Sequence, residues 1–99
     1  MGVVVELSVV PLGLGPSVSS LVAEAVKVLE EAGVKLVLTP MCTIFEASTI
    51  EEAFKLVAKA HEALFKAGAV RVVTTVKVDD RRDVEHTMER KLDSLKGKL

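Results

Sequence analysis

The residues best placed to do chemistry lie in two short segments. Thr39-Pro40-Met41-Cys42-Thr43-Ile44-Phe45-Glu46 reads as a tight turn between two strands, with a carboxylate on the second. Pro40 has no N–H to donate to a ladder, which assigns it to the turn. Glu6-Leu7-Ser8-Val9-Val10-Pro11 offers a second polar pair, Glu6 and Ser8, on another strand. Together they suggest where a small ligand could sit. A carboxylate at a partly buried surface needs a partner. Arg71 or Lys77 would make that partner a structural ion pair; a cationic or amino-bearing ligand would make it functional. Both alternatives stand open at this level.

Other titratable groups point elsewhere. His61 lies on the apolar stripe of a helix with no second ligand at metal spacing, which predicts hydrogen-bonded packing. His86 falls in a charged C-terminal stretch and is expected to be solvated. Cys42 is the lone cysteine, so there is neither an internal disulfide nor a cysteine-pair metal site. No base is placed to activate it as a nucleophile. Ser17 and Ser19 begin a helix, where capping is the simplest role. Asp79 to Asp83 alternates in sign and reads as local salt bridges, with spacing unlike an EF-hand loop.

Periodicity supplies the elements that would position these groups. Val3–Val10 is β-branched and apolar, a buried strand. Ser17–Ala32 is helical, with Val18, Leu21, Val22, Ala25, Leu29 and Ala32 on one stripe and Gly33 as its stop. Lys35–Thr39 and Thr43–Ala47 are short strands. Thr49-Ile50-Glu51-Glu52 is a capping box opening a helix that runs to Gly68, with Ile50, Ala53, Phe54, Val57, His61, Leu64 and Phe65 inward. Val70–Val78 is a fourth strand, and Asp83–Leu95 a charged tail helix. The order β-α-β-β-α-β plus a tail helix predicts an α+β, ferredoxin-like antiparallel sheet with two helices on one face. Alternation leaves Val4, Val10, Val37 and Val73 on the other face, among Glu6, Ser8, Thr39, Thr75 and Lys77. So apolar a face predicts packing against a second copy.

Composition narrows the function classes. Apolar residues make up 49% and charged residues 27% of 99, so one folded domain over residues 1–99 is expected. A net charge of -1 argues against phosphate-driven nucleic-acid binding. The three aromatics, Phe45, Phe54 and Phe65, do not make a base-stacking sheet. No apolar run reaches membrane-span length, and residues 1–11 lack a basic signal n-region, so a cytoplasmic location is expected. Asn and Gln are absent while Lys and Glu abound, a bias found in hyperthermophile proteins.

Several segments resemble a known family. Glu6-x-Ser8-x-x-Pro11-x-Gly13, Ser17–Ala23 and above all Thr39-Pro40-Met41-x-Thr43-x-x-Glu46 are similar to the thiamine-binding protein family, the MTH1187/YkoF-like group once called a domain of unknown function. His61-Glu62, Gly68-Ala69-x-Arg71-Val72 and Asp79-Asp80-Arg81-Arg82 extend the similarity along nearly the whole chain. The resemblance implies sheet-paired homodimers, often homotetramers. It also implies non-catalytic binding of thiamine or its hydroxymethylpyrimidine part, with no further cofactor. Carried over by motif, Ser8, Thr39, Thr43 and Glu46 would line the ligand site, with Glu6 beside them. At Cys42 the resemblance leads one to expect Gly, so a side chain there would narrow the pocket or alter the turn. The alternative is an oligomeric interaction or regulatory protein without a thiamine ligand.

Overall fold

The computed structural model describes residues 2–13, 15 and 18–99. Its elements are β1 (Val3–Pro11), α1 (Ser19–Glu31), β2 (Leu36–Leu38), β3 (Thr43–Ala47), α2 (Ile50–Lys66), β4 (Val72–Asp80) and α3 (Met88–Lys96). The four strands form one antiparallel sheet in the order β2-β3-β1-β4. This is the ferredoxin-like arrangement with an extra C-terminal helix. Ser17, expected to cap the first helix, lies outside the described residues; Val18 occupies the cap position and makes no side-chain cap bond.

The valine-rich β1 alternates cleanly. Val3, Val5, Leu7 and Val9 enter the core with Phe45 and Ala47 of β3, beneath Ala25 and Leu29 of α1 and Ala53, Leu56, Val57, Ala60 and Leu64 of α2. Small residues at 53 and 60 bring α2 close, and its inward stripe is rotated from the expected one. Phe54 and Phe65 lie outside, exposed, while Leu56 and Ala60 take the buried positions.

Capping follows the sequence at α2. Thr49 Oγ1 accepts from Glu52 N at 3.1 Å. The Glu52 carboxylate accepts from Ser48 Oγ at 2.7 Å instead of closing the box. Gly33 and Gly68 follow the caps of α1 and α2 with φ of +74° and +112°, a conformation that needs no β-carbon.

α3 starts five residues later than expected. Thr87 caps it, accepting from Arg90 N at 3.1 Å, and the preceding segment packs against the sheet end. There a β-carbon on Gly2 would meet His86 O at 2.9 Å. His86 is therefore buried, not solvated.

Candidate functional site

The register arranges the uncovered face of the sheet in rows. Glu46 N donates to Lys35 O at 3.0 Å, and Val4 stands opposite both Glu46 and Asp79. The first row therefore reads Lys35, Glu46, Val4, Asp79 from β2 to β4. Next come Val37, Ile44, Glu6 and Lys77. Ser8 and Thr75 share the third row with Cys42 and Thr39 at the β2–β3 turn, and Val10 and Val73 face each other in the fourth.

The tail of the chain closes one end of this face. Lys35 pairs with Glu89, and Lys91 Nζ reaches Asp79 Oδ2 at 2.5 Å. These two pairs tie α3 to both sheet edges along the first row. Val4 and Met88 are both buried, yet neither belongs to the core under α1 and α2. They mark a small second layer on the other side of the sheet. His86 Nε2 lies 3.1 Å from Asp79 Oδ2 but out of line for a hydrogen bond, and is left without a partner.

Electrostatics in this row follow from those contacts. The hydrogen bond from Lys91 holds the Asp79 carboxyl below its ordinary value, with His86 adding to the same direction. Glu89 raises the Lys35 amine, chiefly by its hydrogen bond and then by its charge, with Glu46 adding a smaller push the same way. The first row thus has its cations occupied by partners other than Glu46.

Glu46 is the exception among the carboxylates. Its Oε2 is buried and has no hydrogen-bond partner. Among the described residues it makes no ion pair, neither with Arg71 nor with Lys77. A buried oxygen with full acceptor capacity and no donor is costly to leave unsatisfied. Glu6 stands one row further along the same face, across from Lys77, and Ser8 follows. A concavity lined by Val4, Glu6, Ile44, Lys77, Val78, Asp79, Asp80 and Lys91 lies over the first two rows, and Glu46 is not among its lining residues. Such a surface can hold a flat, partly apolar ligand that carries N–H donors or a positive charge.

The other expected site residues are placed differently. Thr39 is committed to its own turn: Oγ1 donates to Cys42 O at 2.9 Å and accepts from Cys42 N at 3.0 Å and Met41 N at 3.3 Å. It builds the turn beside the face instead of presenting a free hydroxyl. Thr43 pairs with Leu7 and Leu38, on the helix-covered side, so it does not join Glu6, Ser8 and Glu46. The parity of the strand required this, since 43 and 46 are an odd number of residues apart. Cys42 needs no glycine geometry, for no described non-glycine residue has positive φ. Its Sγ lies 3.3 Å from Thr39 Oγ1. His61 Nδ1 is 2.6 Å from Thr74 Oγ1 and its ring packs on Phe65, the packing role its position implied. The places of Asp79, Lys91 and Glu89 on this face leave no mark in the sequence, because a tail helix docked through ion pairs has no apolar period to read.

Comparison with known proteins agrees with the fold and with the motif. The profile of a family described as "Thiamine-binding protein" matches residues 5–96. A UPF0045 protein of Methanothermobacter thermautotrophicus is 43% identical, over 95% of this chain and 96% of its own. The UPF0045 protein YqgV of Bacillus subtilis is 38% identical over 97% and 96% of the two chains. The crystal structure of the hypothetical protein MJ1052 of Methanocaldococcus jannaschii superposes with a TM-score of 0.88 at 38% identity, covering 99% of this chain and 98% of that one.

Proposed function

The chain belongs to the thiamine-binding protein family, and on that premise we propose that it binds thiamine or a thiamine-related pyrimidine, without catalysis, at an interface between copies in a homo-oligomer. The observation that carries this reading is the buried, unpartnered Oε2 of Glu46. An aminopyrimidine supplies an N–H donor of the kind that oxygen lacks, and a thiazolium supplies a compensating positive charge. Glu6 and Ser8, further along the same strand face, would take the remaining polar edges. Thr39 would act through the turn it fixes. The uncovered valines of the face would pack on the partner copy, in a dimer or tetramer in the cytoplasm.

Titration calorimetry with thiamine and with hydroxymethylpyrimidine tests the reading. Binding to either, weakened roughly 10- to 150-fold in Glu46→Gln, is the expected result. No heat from either at millimolar ligand overturns it. The exposed Val10, Val37 and Val73 favour one second reading, an oligomeric interaction or regulatory protein. Co-purification of a stable second protein in the absence of ligand would support that instead.

A further inference from the structure

Glu46 Oε2 is shut off from solvent, yet the two main helices are not what covers it. α1 and α2 lie on the opposite side of the sheet, over Val3, Val5, Leu7 and Val9. Glu46 faces the other way, beside its cross-strand partner Val4. The element tied across that face is α3, held to Lys35 at one sheet edge and to Asp79 at the other. Its first turn therefore crosses the row that holds Glu46 and Val4. Met88, in that turn, is 9% exposed and Val4 8%.

The attachment of α3 is firm at its start and weak beyond. His86 is buried, and its carbonyl oxygen lies against Gly2 at the sheet end. Past Met88, every residue from 89 to 99 is exposed. What holds the first turn down is Met88 and two solvent-exposed ion pairs, a kind of contact that contributes little. Closure also carries a penalty of its own. It buries Met88 and Val4 but strands Oε2 without a donor. Opening reverses both effects: Oε2 regains water, and two apolar side chains lose their cover. Opposed contributions of this kind make a two-state element.

We propose that the first turn of α3 is a lid over Glu46, hinged at His86–Thr87 and latched by Lys35–Glu89 and Asp79–Lys91. It lifts to admit a ligand bearing an N–H donor and closes over it. This rests on the reading of Glu46 as the ligand's anchor. A donor on Oε2 cancels the penalty of closure, so the lid closes more readily over an occupied site than over an empty one. Asp79 and Lys91 also line the concavity over the first two rows, so a ligand that reaches from there to Glu46 lies against the latch.

Carbodiimide coupling of glycine ethyl ester to carboxylates, located by mass spectrometry, reads the lid in the full chain without ligand. Glu46 should be modified well behind Glu51, which is exposed on α2. Glu89→Gln removes one latch. It should speed modification of Glu46 roughly two- to fivefold and leave Glu51 unchanged. Stopped-flow mixing with thiamine should show association faster by the same factor in that variant. Equal rates at Glu46 and Glu51 in the wild type, a Glu46 rate that Glu89→Gln leaves unaltered, or thiamine association indifferent to that substitution would overturn the lid. Absence of any binding of thiamine or hydroxymethylpyrimidine to the wild type would sink the proposed function instead. The carboxylate labelling would still decide the lid, so the two readings fail separately.

Discussion

Glu46 stands directly across from Val4, and both are at the end of the sheet that α3 closes. Val4 needs that cover, as any valine on a solvent face would gain from it. Glu46 is instead placed at a disadvantage by it, because its Oε2 is withdrawn from water and given no donor. Under the proposed function, the layer that completes a small apolar cluster would also leave Glu46 as an acceptor for a ligand.

Glu46→Gln should therefore separate binding from stability. The lost charge removes a charge-assisted hydrogen bond to the ligand, worth about 1.5–3 kcal/mol, or roughly 10- to 150-fold in affinity. Folding should be unharmed, since no intramolecular partner is lost. Calorimetry and thermal melts on the same preparation decide this. A melting temperature that falls with unchanged affinity would make Glu46 structural.

The docking of α3 should loosen in acid and in salt. Asp79 has a depressed folded-state pKa, chiefly through its bond from Lys91. A depressed carboxylate contributes stability that is fully present above its unfolded value, near pH ~4, and is lost as pH falls through the lower folded value. Glu89, lowered by Lys35, acts in the same direction. Both pairs are solvent-exposed, so screening keeps the effect small. Amide exchange in 88–96 should rise below pH 4 and in molar salt, before the sheet and α2 lose protection. Uniform exchange across the chain under these conditions would refute the separate anchoring of α3.

How far could this have been read from residues alone? Period-two alternation placed Glu6, Ser8 and the valines on the open face, because in a strand parity alone fixes the side. The same rule, carried along β3, separates Thr43 from Glu46, which a motif match by itself does not reveal. On α2 two apolar stripes compete. The large Phe54 and Phe65 score high in hydropathy, but the small Ala53 and Ala60 permit close packing and win the inward positions. The charged sequence neighbours of His86 point to a solvated side chain. Its burial comes from contact with the Gly2 end of the sheet, a long-range fact with no local signature.

The turn should tolerate glycine at position 42 but gain nothing from it. Cys42 sits at negative φ, so no strain is relieved by removing its β-carbon. Cys42→Gly should cost roughly 0.5–1 kcal/mol through the added freedom of the unfolded chain. The Thr39 hydrogen bonds are made to the Cys42 backbone and should survive. A denaturant titration showing a stabilised variant would mean that the side chain, not the backbone, is under strain here.

Caps and core should respond on different scales. Thr49→Ala removes the acceptor for Glu52 N and should cost about 1 kcal/mol. Phe45→Ala should cost roughly 3–5 kcal/mol, because Phe45 is fully buried on β3, between β2 and β1 and under the helices. For a chain this small the second loss is a large part of the total stability. Urea titrations of the two variants should show the midpoint falling modestly for Thr49→Ala and collapsing for Phe45→Ala. If the two fell equally, Phe45 would not be the packing centre that its position between the layers makes it.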